Sequence, residues 1–290
     1  MRPLFKTHGG KYYLARRINA QLPPHEIYVE PFAGGLSVLL NKPRSPYEYA
    51  SDIDQDLINF YQGFHKHYEE FKKFIDRVSY IKTNFEWSLQ SVDLADRVES
   101  GDPEIEWLAK YLVRNRFSRG GLGKDFAWSD RLRGGQPGDV NAWDTIRRDM
   151  NRIHNRLYYA KFERADALDV IGSRHFNKPN VLFYLDPPYV ASTRTSPNIY
   201  ANEMSEDEHV DLLRLITSRQ FKTQVVLSGY HNDLYDKLLG DWRRVEFDMP
   251  NHSGQTKTKQ RRIEVLWLSP SCQPPLKKPG RRGKPLMEIL

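Results

Sequence analysis

Asp186-Pro187-Pro188-Tyr189 puts a carboxylate, a stiff backbone and an aromatic ring within four residues. Together they can accept hydrogen bonds at a side chain and at a fixed carbonyl, and can stack on a flat ligand. The tetrapeptide follows an apolar run, Val181-Leu182-Phe183-Tyr184-Leu185, which reads as a buried strand. Two prolines cannot continue a central strand, because each lacks a ladder donor. The chain therefore leaves the sheet at this point. In open α/β sheets the carboxyl ends of strands are where ligands bind. The same residue types also suit a plain strand-end turn.

Three further groups could bind a ligand. Gly34-Gly35 follows a short strand signal at 27–30 and precedes a helix opening at Leu36. Glycine lets backbone approach a ligand closely, and a helix start offers free N–H groups. The turn is not a P-loop, since no Gly-Lys-Ser/Thr follows. Asp52 ends a second strand signal, where an acid can accept bonds from ribose hydroxyls. It could instead cap the next helix, a task open also to Asp54. Gly9-Gly10-Lys11 offers a tight turn and a point charge for a carboxylate, or merely a solvated lysine.

These groups need elements to position them. Strand, glycine turn, helix, strand and acid form the first half of a nucleotide-binding α/β unit. The alternation breaks from about 65 to 156, where helical patterns span 68–78, 105–117 and 143–157. Between the last two lies a stretch rich in Gly, Arg and aromatic residues. Strand signals return at 158–162 and 181–185. Ser205 and Glu208 have the capping-box spacing of a helix start. Strands at 224–228, 243–247 and 263–268 complete the set. The expected fold is α/β, a Rossmann-like sheet flanked by helices. Its catalytic part comprises 1–64 and 157–270, with a mainly helical insertion at 65–156 that packs partly on its own core. A mobile basic tail is expected at 271–290.

The chain is 39% hydrophobic and 28% charged, as suits a globular protein with a core. No run approaches the ~20 apolar residues of a membrane span. The N-terminus lacks the apolar stretch of a secretory signal. A single cysteine, Cys272, excludes a disulfide framework and a Cys-rich zinc site. No metal is expected, and a reducing cytoplasm is the expected address. The net charge of +7 is unevenly spread. Residues 110–164 hold 13 basic and 6 acidic groups, and 251–290 hold 9 and 2. Clustered positive charge is the footprint of a nucleic-acid partner, or else a solvated surface.

In order, Gly9-Gly10-Lys11, Glu30-Pro31-Phe32-Ala33-Gly34-Gly35, Ser51-Asp52-Ile53-Asp54, a basic insertion and Asp186-Pro187-Pro188-Tyr189 resemble the Dam-like, alpha-class DNA adenine N6-methyltransferases. The resemblance covers most of residues 4–268. It implies S-adenosylmethionine as cofactor, with Lys11 near its methionine part and Asp52 on its ribose. It puts Asp166 and Ala167 beside its adenine ring, and adds Thr7, Phe32 and Gly34 as cofactor contacts. Asp186 would lie between cofactor and target base, with Pro187 and Tyr189 as its catalytic companions. The insertion would recognise the target, with Asn115, Arg116, Arg119, Arg131, Arg133 and the Gly120-Gly121 turn close to DNA. Lys257 and Lys259 would sit in a basic loop at 256–262, near a flipped base. Two positions depart from the family pattern. Thr7-His8 stands where Trp-Ala is frequent, and Leu36 where the turn commonly ends in glycine.

The implied reaction is direct in-line methyl transfer to adenine in duplex DNA, without a covalent enzyme intermediate. Asp186 and the Pro187 carbonyl would accept both amino hydrogens and draw the nitrogen toward tetrahedral geometry. The base must be flipped to be reached. The expected partner is double-stranded DNA, with a cognate restriction endonuclease possible and a monomer in solution. Two alternatives stay open: an RNA or protein amino-group methyltransferase, and a non-catalytic DNA-binding protein on a degenerate scaffold.

Overall fold

Alternating apolar residues on short strands build two cores, one on each face of a single sheet. The structure is a computed structural model and describes residues 1–7, 9–91, 103–190, 202–250 and 261–272. In chain order its elements begin with α1 (Ala15–Asn19), β1 (Ile27–Glu30), α2 (Ser37–Asn41), β2 (Tyr47–Asp52) and α3 (Gln55–Lys66). The middle of the chain forms α4 (Tyr68–Asp76), α5 (Lys82–Ser88), α6 (Pro103–Phe117), a small ribbon of β3 (Leu132–Arg133) and β4 (Gln136–Pro137), and α7 (Gly138–Leu157). Then come β5 (Ala160–Arg164), α8 (Ala167–Gly172), β6 (Val181–Leu185), α9 (Glu206–Ile216), β7 (Gln224–Tyr230), α10 (Asp233–Leu238), β8 (Arg243–Pro250) and β9 (Arg261–Leu268).

The large sheet has the order β5-β2-β1-β6-β7-β9-β8. Its first five strands are parallel, while β9 pairs antiparallel with both β7 and β8. This is the expected Rossmann-like α/β architecture. Side chains along a strand alternate between faces. Tyr28, Leu182, Tyr184, Val226 and Leu266 therefore join one cluster, and Val29, Val181, Phe183, Leu185, Val225 and Trp267 the other. The second cluster is covered by α8, α9 and α10 through Ile171, Leu212, Leu213 and Tyr235.

The first cluster runs without a break into the helices of 65–156, through Phe71, Leu108, Leu112, Phe117, Trp143, Ile146 and Met150. Each such side chain contributes about 1.5–3 kcal/mol when fully buried. A buried ion-pair node ties α7 to β2: Arg156 grips Glu48 through both terminal nitrogens, and Lys42 holds the same carboxylate at 2.7 Å. Arg156 also donates to the Leu39 carbonyl at 2.6 Å. No helix among the described residues is long and apolar enough to cross a membrane. Of the expected basic tail, Ser271 and Cys272 are hydrogen-bonded to Thr223 and Val225 at the start of β7; 273–290 lie outside the described residues.

Candidate active site

The strand order reverses between β1 and β6, so their carboxyl ends open a crevice. Glu30 closes β1 and Asp186 follows β6. A cavity of about 380 Å³ lies there, within the ~300–1,000 Å³ range of small-molecule sites. Its lining includes all eight cofactor candidates: Thr7, Lys11, Phe32, Gly34, Asp52, Asp166, Ala167 and Asp186. Pro188 lines it as well, and Tyr111, Asn115 and the Gly120-Gly121 turn reach it from the helical segment.

The wall built by β1, β2 and their turns is fixed by backbone bonds. Asp52 accepts from the Gly34 N–H at 3.0 Å through one oxygen and from the Asp54 N–H at 3.1 Å through the other. Burial raises its pKa, against the pull of these donors. Asp54, and not Asp52, caps α3, accepting from Asp56 and Leu57. Asp166 caps α8 by accepting from Leu168 at 2.8 Å. Gly34 has a positive φ of 42°. Leu36 has φ 55° and is the one non-glycine residue with positive φ among those described. Its side chain is nonetheless 1% exposed, so the leucine exchanges backbone ease for core packing. Thr7 nests against two glycines: a Cβ on Gly10 would come within 2.8 Å of its Oγ1, and one on Gly35 within 3.2 Å. His8 lies outside the described residues.

Lys11 is the hub. Its ammonium donates to the Gly9 carbonyl at 2.9 Å, to Asp186 Oδ1 at 2.7 Å and to the Tyr189 hydroxyl at 2.6 Å. Its side chain is 4% exposed, against 21% for Asp186. Burial opposes the charge on Lys11, but Asp186 and Glu264 outweigh it and raise its pKa. Burial pushes Asp186 up to about 6, with Lys11 pulling down and Glu264 pushing up. Burial likewise lifts Glu30 to about 8, although the Tyr28 hydroxyl bonded to it at 2.8 Å works the other way. Tyr189 is buried, with Lys11 over its ring and Tyr230 packed beside it at 4.3 Å. Its ring is not among the residues lining the cavity.

The residues expected near DNA separate into two groups. Arg119, Arg131 and Arg133 are exposed on the turn after α6 and on the β3–β4 ribbon. Arg116 is 8% exposed, and burial, then Arg2, lowers its pKa to about 10. Asn115 clamps the N-terminal segment, exchanging bonds with the Lys6 N–H at 2.8 Å and carbonyl at 3.0 Å, and donates to Gly121 at 3.1 Å. Lys257 and Lys259 lie outside the described residues.

Sequence reasoning missed Glu264 and Ser228. Glu264 is 6% exposed on β9 and accepts from the Tyr189 and Ser228 hydroxyls, each at 2.8 Å. The available signal was a lone acid inside the apolar run Ile263–Leu268. Among the described residues no cluster of His, Cys, Asp or Glu is arranged to hold a metal ion.

A mostly parallel sheet with carboxylates at its switch point and a glycine turn beside an acidic strand end defines a protein of the Rossmann-like α/β class. Residues 8–112 and 144–257 match the family described as D12 class N6 adenine-specific DNA methyltransferase, and the chain belongs to that family. It is also similar to proteins named DNA adenine methylase. The match is 48% identical over 60 residues for those of Vibrio cholerae serotype O1 and Escherichia coli K12, and 45% over 60 residues for that of Serratia marcescens. The matched segment is 21% of this chain and about a fifth of each relative's length.

Proposed function

We propose that this chain is a site-specific DNA adenine N6-methyltransferase that moves the methyl group of S-adenosylmethionine to a flipped-out adenine in duplex DNA. The observation that carries this reading is Asp186, held by Lys11 through Oδ1 at the rim of the switch-point cavity. Oδ2 is then the oxygen left to accept an amino hydrogen. The Pro187 carbonyl, fixed by its ring and the next one, accepts the other. Preorganised acceptors of this kind stabilise charge as it develops on the nitrogen.

The cavity suits the donor chemically. Asp52 and Asp166 offer carboxylate oxygens for hydroxyl and amino groups, and Phe32, Ala167 and Leu168 offer apolar wall. Asp186 and Asp52 bring negative charge to the cavity wall, which favours a cation, whereas Glu30, lifted to about 8, is largely protonated near neutral pH. When bound, S-adenosylmethionine supplies a methyl group already activated on a sulfonium. The chain's own part is alignment and exclusion of water. Exposed Arg119, Arg131 and Arg133 would neutralise phosphates, offsetting the few kcal/mol that base flipping costs. A cytoplasmic monomer acting on double-stranded DNA fits this reading.

The test is a partition of methyl label from S-adenosylmethionine among duplex DNA, structured RNA and protein acceptors. Label in DNA, recovered as N6-methyladenine, is the expected result. Label in RNA or protein alone would replace the acceptor, and cofactor binding without any transfer would favour a DNA-binding scaffold.

A further inference from the structure

We infer that Glu264 is a positioning residue of this site: it fixes the Tyr189 hydroxyl and shares the Lys11 ammonium with Asp186, which keeps Asp186 a strong acceptor. The inference rests on the methyl-transfer reading for its purpose, but its geometry stands apart from it.

A carboxylate buried in an apolar strand is costly unless its lone pairs are satisfied. Glu264 Oε1 is satisfied twice, by Tyr189 and by Ser228 of the neighbouring strand. Lys11 Nζ lies 3.4 Å from the same oxygen. All three ammonium hydrogens are already spent on Gly9, Asp186 and Tyr189. Lys11 therefore reaches Glu264 mainly by charge, and through the Tyr189 hydroxyl, which accepts from Lys11 and donates to Glu264. One cation from near the start of the chain thus serves two carboxylates from its later half.

The consequence falls on Asp186. A lysine paired with one carboxylate alone would drain its acceptor strength. A second carboxylate behind the lysine offsets part of that field. Among the described residues the other groups that act on the Asp186 charge are Glu30 from β1, Tyr184 from β6 and Tyr235 from α10, none of them a cation. Beside burial, Lys11 and Glu264 are the described charges that set the balance. The same oxygen anchors Tyr189, so the Asp-Pro-Pro-Tyr backbone is held at both ends, by Lys11 at Asp186 and by Glu264 at Tyr189.

The test uses Glu264→Gln, which keeps an acceptor oxygen and removes the charge. Asp186 near pH 6 sets the acid limb of kcat/KM, since the acceptor form is the carboxylate. Without the Glu264 charge the limb moves to lower pH, by roughly half a unit or more, a threefold change in the proton equilibrium. Turnover above the limb falls about 10-fold while cofactor Kd stays within about twofold, because the acceptor and not the cofactor wall is altered. Ser228→Ala, which removes one bond to Oε1 without changing charge, leaves the limb in place. Glu264→Asp keeps the charge and holds the limb near that of wild type, while Glu264→Met, which also removes the charge, serves in place of Glu264→Gln if that variant does not fold. The Asp186 carboxyl is also titrated directly, by carbon-13 NMR of labelled protein, which needs no turnover. A shifted titration with no methyl transfer by wild type would overturn the reaction and keep the coupling. An unmoved titration in Glu264→Gln would overturn the inference.

Discussion

The pocket floor and the turns of the helical segment treat charge in opposite ways. At the floor, Lys11 is bonded directly to Asp186 and, through the Tyr189 hydroxyl, to Glu264, and its three ammonium hydrogens are all engaged. On the turns, Arg119, Arg131 and Arg133 are exposed and make no ion pair among the described residues. The floor resembles a machine part, in which charge is fixed before a ligand arrives. The turns keep their charge unspent, which suits the phosphate contacts proposed for them. Polar bonds form the seam between the two regions at Lys6: Asn115 holds its backbone and the Gly121 carbonyl, and the Lys6 ammonium donates to the Ser118 carbonyl.

Variants can break this contrast at either side. Asp186→Ala has the largest expected effect. Loss of a preorganised acceptor costs about 10²–10³-fold in single-turnover rate, in a protein that still folds but melts at a lower temperature, because the buried Lys11 loses a partner. An equal loss of folding would mean the residue is structural. Gly121→Ala attacks the seam. Its Cβ would fall 2.2 Å from the Lys6 carbonyl oxygen, at a residue whose φ is 81°. Overpacking of this kind costs about 1–3 kcal/mol, measurable by urea unfolding, and should weaken DNA binding with it. Arg131→Ala and Arg133→Ala act on the turns alone. Each should lower the salt dependence of DNA affinity by about one unit of slope per phosphate contact and leave stability within about 0.5 kcal/mol. Unchanged slopes would remove the ribbon from the DNA surface.

Leu36→Gly is the subtlest. It relieves a left-handed leucine worth about 1–2 kcal/mol and loses burial worth about 1.5–3 kcal/mol. A small net destabilisation is expected, with cofactor affinity kept. A gain in stability would show that the leucine contributes little to the core.

The sequence was most legible where chemistry sits on contiguous residues. Asp186 to Tyr189, Gly34-Gly35 and Asp52 are each readable within a few positions of a strand end, because a strand fixes where its next residue points. Ser205 and Glu208 form the capping box their spacing implies. Glu264 was not legible, because its partners stand 36 and 75 residues away and no local pattern joins them. Arg116 and Asn115 were expected close to DNA from the resemblance alone. Burial and a clamp on Lys6 are tertiary facts that charge counting does not carry. Short helices such as α5 and α8 have too few turns to show a period. The strand expected at 158–162 runs at 160–164. Tyr158 and Tyr159 drew the reading forward by their β propensity, yet both are exposed before the strand begins.

The most direct measurement is nucleoside mass spectrometry of DNA from a methylation-free bacterial host that expresses either this chain or its Asp186→Ala variant. N6-methyladenine with the first and background with the second is the predicted result. Background with both, from folded protein that binds S-adenosylmethionine, would contradict the claim that the Asp186 site methylates adenine in DNA.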